Sequence, residues 1–285
     1  MLKYIWKKLY GSGIGNYFPF NYAYKLYVFL VNKLYGGVKL AKINYWWIVF
    51  WMYIIFNMWN NVSKKIFLKW VHEKALTEYF INNVKKWDYF LDLWANLWYF
   101  SLLSSKLVWN NWKIIAFEPV KQNYELFEKS IKYNWFENIQ LEKYALWNKQ
   151  EEMKINISNK NMWEHSIVNK NETFWNTEKI SIKRFDDLDF NIDKSKIKFI
   201  KIDIEWFEFE AMKWMKKLLD SNGNIKIVME FSPEFYKNFW KNYTDEFIKF
   251  IYDKWFKTYS FDDNLKEIDL YRYRNIKQLN ILLTK

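Results

Sequence analysis

Acidic side chains stand at or just beyond the ends of several apolar runs in this sequence. Asp92 lies within "YFLDL", Glu118 follows "KIIAF" directly, and Asp203 follows "IKFIKI". If these runs are parallel strands, their carboxyl ends meet at one edge of a sheet, where such folds bind ligands. Glu118 could accept hydrogen bonds from ribose hydroxyls, while backbone N–H groups at a helix start could hold a carboxylate. The pattern therefore predicts a site for a ribose-containing ligand.

Three side chains have the chemistry of a general base. Asp203 and Glu205 are two residues apart in "DIEWFE", so both leave the same face of an extended chain. His165 lies in the polar stretch "NMWEHSIV", and histidine is the residue type best suited to proton transfer near neutrality. A positioned base contributes typically about 10²–10⁴-fold to a rate. The alternatives are structural, because carboxylates also stabilise a helix N-terminus and a loop histidine is often only solvated.

Strand-like runs alternate with helical segments from residue 74 onward. Helices are predicted over "EKALTEYFINNV", "NLWYFSLLSSKLV", "KQNYELFEKSIKYN" and "FEFEAMKWMKKLLD", and apolar runs lie between them. This alternation indicates right-handed βαβ units. The sequence therefore predicts an α/β fold with a doubly wound, mostly parallel sheet covered on both faces. We expect residues 71–285 to form this domain and residues 1–70 to form an N-terminal extension of a helix and short strands.

The segment "FEFEAMKWMKKLLD" shows the periodicity of a helix with one buried face. Its apolar positions are Phe207, Ala211, Trp214 or Met215, and Leu218, which recur at helical spacing. Glu208 and Glu210 are expected on the exposed face of the same helix.

Composition excludes several kinds of site. The chain has no cysteine, which rules out disulfides, thiolate metal sites and a cysteine nucleophile. His72 and His165 lie far apart without metal-ligand spacing, so no metal is expected. The net charge of +12 comes from evenly spread lysines and only three arginines. Because no basic block or nucleic-acid motif accompanies this charge, we expect no specific nucleic-acid partner.

Neither a secretion signal nor a membrane span stands out. The start of the sequence has no apolar core followed by a small-residue cleavage site, so we expect a cytoplasmic protein. The most apolar run, residues 45–59, is shorter than the ~20 residues that a spanning helix needs. It is rich in β-branched and aromatic residues, which favours short strands and argues against membrane contact.

Glycine is scarce and tryptophan is abundant, with 6 and 19 residues among 285. Glycine averages about 7% of residues in proteins, so the sum of the two types, 25 residues, is close to what glycine alone usually supplies. Trp94 and Trp98 lie in "DLWANLW", a strand-to-helix turn where glycine would allow positive φ and a close ligand approach. We hypothesise that one glycine codon, UGA in a reassigned code, is decoded here as tryptophan. The alternative is a truly tryptophan-rich protein.

Four segments carry a family resemblance: "FLDLWANLWYFSLLSSKLV", "IIAFEPVKQNYELFEKSIKYNWFENIQLEKYALWN", "RFDDL" and "IKFIKIDIEWFEFEAMKWMKKLL". Together they resemble the FkbM-type S-adenosylmethionine-dependent methyltransferases, over about residues 70–285. The family pattern has glycine at seven positions where this chain has tryptophan, which are Trp87, Trp94, Trp98, Trp135, Trp147, Trp206 and Trp214. The coincidence supports the codon hypothesis.

The resemblance implies a seven-stranded, Rossmann-like methyltransferase sheet with S-adenosylmethionine as cofactor. The cofactor-binding positions that it implies are Asp92, Trp94, Ala95, Asn96, Trp98, Tyr99, Glu118, Pro119 and Ala145. Methyl transfer in such families is an in-line displacement, in which positioning supplies much of the rate. Asp203, Glu205 and His165 are the candidates for the base that takes the acceptor's proton.

We therefore expect an O-methyltransferase that acts on a hydroxyl of a glycan, a sugar or another small metabolite. The alternative is a non-catalytic or membrane-associated relative in which the tryptophans are real. A nicotinamide-dependent oxidoreductase is disfavoured, because Asp92 lies where the glycine fingerprint of that fold would begin.

The codon hypothesis makes a prediction about the gene. Trp94, Trp98 and Trp206 should be encoded by UGA, because the family pattern places glycine at these positions. Sequencing of the three codons checks this expectation. UGG at all three positions would contradict it.

Overall fold

The computed structural model of the protein describes residues 38–45, 48–55, 71–95, 98–108, 113–146, 150–156, 177–190, 192–204, 207–238 and 242–285. Its strands are β1 (Val38–Tyr45), β2 (Ile48–Ile55), β3 (Tyr89–Leu93), β4 (Ile114–Phe117), β5 (Ile139–Glu142), β6 (Ala145–Leu146), β7 (Glu151–Asn156), β8 (Thr177–Lys183), β9 (Ile197–Ile202), β10 (Lys226–Phe231), β11 (Lys257–Ser260), β12 (Lys266–Glu267) and β13 (Leu279–Thr284). Its helices are α1 (Lys74–Asn83), α2 (Tyr99–Leu107), α3 (Lys121–Asn134), α4 (Glu208–Trp214), α5 (Lys216–Ser221), α6 (Pro233–Tyr236) and α7 (Tyr243–Asp253).

Eight strands form the central sheet, in the order β12-β11-β13-β10-β9-β3-β4-β5. The five strands from β10 to β5 run parallel, whereas β13 is antiparallel to both of its neighbours. The chain passes outward from β3 to β4 and β5, and later returns to β9 on the other side of β3. The strand order therefore reverses at β3, and α/β sheets bind ligands at such a reversal.

This architecture confirms the predicted α/β class with a mostly parallel sheet. The sheet has eight strands rather than seven, because the two-residue β12 pairs with β11 at one edge. The strand-like run "IQLEKYAL" divides into β5 and β6, and β6 joins β8 and β7 in a separate three-stranded sheet. The helix predicted over residues 207–220 divides into α4 and α5 at Met215, whose φ of −103° and ψ of 21° leave the helical region.

Hydrophobic clusters cover both faces of the central sheet. Phe90 of β3 packs in one cluster with Phe80 of α1 and Phe100 of α2, whereas Leu91 lies in the other with Met212 of α4. Successive strand residues point to opposite faces, so a strand buried on both sides must be apolar at nearly every position. Asp92 is an exception to this pattern, and it leaves β3 on the same face as Phe90.

The hairpin of β1 and β2 packs on the α/β domain. Asn134, at the end of α3, accepts a hydrogen bond from the N–H of Tyr53 at 2.8 Å and donates one to its carbonyl oxygen at 2.7 Å. Met52 and Ile54 are buried in the same hydrophobic cluster as Phe90. The hairpin thus belongs to the packed structure, and the domain boundary at residue 70 stays a prediction.

Strand β2 accounts for the central part of the apolar run at residues 45–59. Residues 46, 47 and 56–59 of this run lie outside the described residues, as does the helix expected in the N-terminal extension. Within the part of the chain that the structure describes, no helix is long and apolar enough to cross a membrane.

Asn134 gives a test of how the hairpin is held. Replacing Asn134 by Ala should lower the free energy of unfolding by about 1–3 kcal/mol, because the N–H and carbonyl of Tyr53 lose their partners at a partly buried position. Urea unfolding measures the loss. Glu128→Ala is the control on the same helix, because the ion pair of Glu128 with Lys132 is half exposed and its loss should cost less than about 1 kcal/mol. Equal losses in the two variants would contradict the proposed role of Asn134.

Candidate functional site

Lys201 lies between two carboxylates at the centre of the sheet. It is opposite Asp92 in the register of β9 and β3, and its Nζ lies 2.7 Å from Oδ2 of Asp203. Only 7% of Lys201 is exposed. Burial opposes the charge on the ammonium, but Asp203 and Asp92 outweigh it and raise the pKa of Lys201 above its usual value. Lys201 therefore remains a cation in the interior.

The carboxylate of Asp92 is buried and half satisfied. Its Oδ2 accepts a hydrogen bond from the hydroxyl of Ser101 in α2 at 2.5 Å, whereas Oδ1 has no hydrogen-bond partner among the described residues. Burial raises the pKa of Asp92, and Lys201 and Ser101 act in the opposite direction. Because a buried acceptor without a donor costs free energy, Oδ1 marks a point where a ligand could donate a hydrogen bond.

The turn after β3 carries Trp94, Ala95 and Trp98. The N–H of Ala95 donates to the carbonyl oxygen of Phe117 in β4 at 2.8 Å, and the N–H of Trp98 donates to that of Ala95 at 2.6 Å. Trp94 has φ of 65° and Trp98 has φ of 51°, which is the left-handed region. The indole of Trp98 is fully buried and stacks on Phe127, with 5.5 Å between ring centroids. Both indoles are thus buried beside the turn that the resemblance assigns to the cofactor.

Glu118 lies at the end of β4, the strand beside Asp92. Its Oε1 accepts a hydrogen bond from the N–H of Val120 at 2.9 Å, and no part of Glu118 is exposed. Pro119, two residues beyond β4, and Ala145, the first residue of β6, are also buried. Tyr99 is buried at the start of α2, and this burial raises the pKa of its phenol to about 12.

Three residues of the predicted site lie outside the described residues: Asn96, His165 and Glu205. Their roles stay predictions. Of the three candidates for the base, the structure describes only Asp203, and Asp203 is paired with Lys201.

Glu208 is buried, so the expectation that it lies on the exposed face of its helix is wrong. Only 2% of Glu208 is exposed, and its Oε2 accepts a hydrogen bond from the hydroxyl of Tyr236 at 3.0 Å. Burial raises the pKa of Glu208 to about 8, and Glu230 acts in the same direction. Tyr236 comes from α6, 28 residues further along the chain. The periodicity of one helix contains no information about such a distant neighbour.

A pocket opens at the carboxyl ends of β9 and β10. The polar residues in its lining are Glu73, Lys201, Asp203, Glu230 and Asn280. Burial raises the pKa of Glu230, and Asp203 adds to the effect. The sequence analysis missed Lys201 and Glu230 as site residues. The available signal was a charged residue inside an otherwise apolar strand, because buried charges are rare unless they are paired.

The polar groups of this site fit S-adenosylmethionine, whereas the turn after β3 does not. The ammonium and ribose hydroxyls of that molecule suit the unpartnered Oδ1 of Asp92 and the carboxylate of Glu118. Yet Trp94 and Trp98 are 5% and 0% exposed in the same turn, and Glu118 has no exposed surface. Among the described residues of this turn, both indoles and both carboxylates are thus buried.

The mostly parallel sheet and the acidic residues at the ends of its adjacent strands are the features expected of the Rossmann-like methyltransferase class. The family model of the methyltransferase FkbM domain matches residues 83–263. The chain belongs to this family, and the family implies S-adenosylmethionine as the methyl donor. No curated protein matches the chain.

Several solved structures are similar to the chain at low identity. The methyltransferase FkbM from Methylobacillus flagellatus is 12% identical, with a TM-score of 0.38 over 79% of this chain and 55% of that one. A SAM-dependent O-methyltransferase from Thermotoga maritima is 12% identical, with a TM-score of 0.42 over 90% and 81%. An rRNA methylase from Streptococcus thermophilus is 10% identical, with a TM-score of 0.42 over 74% and 93%.

The buried carboxyl of Glu208 predicts a pH dependence of stability. Its pKa is about 8 in the folded protein and lies near 4.5 when unfolded, so the stability that protonation gives is complete below about 4.5. This stability is lost as the pH rises toward 8, because the folded protein then holds a proton that the unfolded chain has released. In the Glu208→Gln variant this decline of the free energy of unfolding with pH, up to about 1.4 kcal/mol per pH unit, should be absent. Urea unfolding at several pH values measures it.

Tyr236→Phe is the matched control for this prediction. It removes the hydroxyl that donates to Glu208 but keeps the titrating carboxyl, so the decline of stability with pH should persist. A Glu208→Gln protein with the same pH dependence as the unaltered chain would contradict the assignment.

Proposed function

We propose that the protein is an S-adenosylmethionine-dependent O-methyltransferase that acts on a hydroxyl of a sugar or another small metabolite. The observation that supports this proposal is the position of the polar pocket at the ends of β9 and β10. It lies one strand away from Asp92, since β3 and β9 are adjacent. Carboxylates and the amide of Asn280 accept hydrogen bonds from hydroxyl groups, so the lining suits one hydroxyl group of an acceptor.

Glu230 and Lys201 supply the acid–base chemistry in this proposal. A general base is most effective when its pKa lies near the working pH, and burial moves the pKa of Glu230 upward in that direction. Asp203 is held by Lys201 and orients that ammonium toward the pocket. The fixed positive charge of Lys201 would stabilise an acceptor oxygen as it loses its proton to Glu230. The predicted roles of Glu205 and His165 as alternative bases belong to the same proposal.

A second candidate is a non-catalytic relative of the same fold. It is favoured by one observation, which is the burial of Trp98 and of Glu118 at the expected donor site. If both tryptophans are real, the protein keeps the fold of a methyltransferase and has no accessible donor site. Both candidates have the same fold, and the fold alone does not determine function. Only the state of this turn distinguishes them.

The acceptor pocket gives a kinetic prediction. Glu230→Gln should lower kcat for methyl transfer by about 10²–10⁴-fold, because the amide cannot accept the acceptor's proton. Transfer is measured with labelled S-adenosylmethionine against a panel of sugars and hydroxylated metabolites. The assay is run on the unaltered chain and on the Trp94→Gly, Trp98→Gly protein.

Glu234→Gln is the control, because Glu234 is an exposed residue of the adjacent helix α6. It should leave kcat unchanged. The same panel includes RNA, and transfer to RNA without transfer to any hydroxylated small molecule would overturn the proposed substrate class. Full activity of Glu230→Gln would remove Glu230 from the role of base.

A further inference from the structure

Four tryptophans hold a backbone conformation that favours glycine. Their φ angles are 65° at Trp94, 51° at Trp98, 56° at Trp135 and 64° at Trp255. Only a few per cent of residues other than glycine have positive φ, and for a bulky residue it is an outlier. The structure describes the backbone of seven tryptophans, and the other three, Trp51, Trp87 and Trp214, have no positive φ. A recurrence of four in seven therefore needs a common cause.

Trp135 closes helix α3 in the motif that most often contains glycine. Its N–H donates to the carbonyl oxygen of Lys132 at 3.2 Å, and the N–H of Phe136 donates to that of Ile131 at 3.2 Å. This pair of bonds is the Schellman motif, with Trp135 as its left-handed residue. Glycine is usual there because it has no β-carbon to clash in the left-handed conformation.

Trp255 occupies the same place after helix α7. Its N–H donates to the carbonyl oxygen of Tyr252 at 2.9 Å, and the N–H of Phe256 donates to that of Ile251 at 3.3 Å. The same two-bond closure therefore ends both helices, with tryptophan at the glycine position each time. Trp135 and Trp255 are 90% and 86% exposed. Their indoles are thus barely buried, and packing cannot explain why these side chains are there.

Trp98 has the same left-handed backbone conformation, but its side chain is buried and not exposed. It is fully buried, yet its indole Nε1 has no hydrogen-bond partner among the described residues. A buried indole N–H usually finds an acceptor, and leaving it unpaired is unfavourable. Trp94, four residues earlier, is also buried with positive φ. Both positions belong to the turn after β3. The acidic groups there suit S-adenosylmethionine, whereas the two indoles do not.

We propose that the functional protein carries glycine at positions 94, 98, 135 and 255, and that one glycine codon is decoded as tryptophan in this sequence. Backbone conformation supports glycine at all four positions. The 6 glycines beside 19 tryptophans indicate the common cause, which is a glycine codon decoded as tryptophan. For positions 94 and 98 the inference also deepens the proposed function, because glycine there would open the donor site. For positions 135 and 255 it is independent of any activity.

Helix closure gives the first test. Trp135→Gly and Trp255→Gly should each raise the thermal midpoint of the full chain by about 2–4 °C, because the left-handed strain is released without loss of a packed side chain. Trp135→Ala and Trp255→Ala should raise it by less than half as much, since alanine keeps the β-carbon. Tyr133→Gly is the matched control, because Tyr133 is half exposed on helix α3 and has no positive φ, and it should not raise the midpoint. Glycine variants no more stable than the alanine variants would overturn the inference.

Peptide sequencing by mass spectrometry gives the second test, and it does not depend on whether the tryptophan-containing chain folds. Peptides of the protein from the cell that makes it should contain glycine at positions 94, 98, 135 and 255. Tryptophan at these positions in the native protein would overturn the inference.

Calorimetry with S-adenosylmethionine separates this inference from the proposed function. The Trp94→Gly, Trp98→Gly protein should bind at least about tenfold tighter than the unaltered chain, whereas Trp135→Gly, Trp255→Gly should leave the affinity unchanged. Tight binding by the unaltered chain would show that the indoles do not block the site. Glycine in the native peptides without binding by the opened turn would support the glycine assignment and overturn the proposed cofactor use.

Discussion

Lys201 is a cation inside the central sheet, and the geometry of the site depends on how its charge is compensated. An unpaired buried charge costs several kcal/mol, so Asp92 and Asp203 must lie beside it. This requirement fixes the register of β3 against β9, because a slip of one residue would move Asp92 to the opposite face of the sheet. The two strands flank the point where the strand order reverses. The pairing therefore sets the distance between the expected donor site and the polar pocket.

The fold class and the acidic ends of two strands could be predicted from the sequence because both depend on local patterns. Strands buried on both faces are apolar at almost every position, so Asp92 and Glu118 mark where β3 and β4 approach their carboxyl ends. Parallel strands place those ends at one edge, which brings the two carboxylates to neighbouring strands without any further information. The buried stripe of Phe207, Ala211 and Leu218 was predictable for the same reason.

The features that escaped prediction depend on contacts between distant segments. Glu208 has the spacing of an exposed residue, and only the approach of Tyr236 from α6 makes it part of the interior. Lys201 is one lysine among many in the sequence, and its burial follows from the pairing of β9 with β3 on one side and β10 on the other. The division of "IQLEKYAL" between two sheets likewise follows from the pairing of β6 with β8. The amino-acid composition contains no information about which distant segments pair in the fold.

The tryptophans with positive φ have different consequences for the fold and for the candidate site of this protein. The bonds that close α3 and α7 come from the backbone, which every residue except proline can supply, so tryptophan at Trp135 or Trp255 adds a local strain and leaves the helices intact. A binding turn is different, because a ligand must share its space with the side chain. At positions 94 and 98 tryptophan keeps the strand-to-helix geometry and places two buried indoles in the turn that the resemblance assigns to the cofactor. Tryptophan at the four positions is therefore compatible with the sheet and the helices, and its effect is expected at the ligand site, where the backbone conformation indicates glycine.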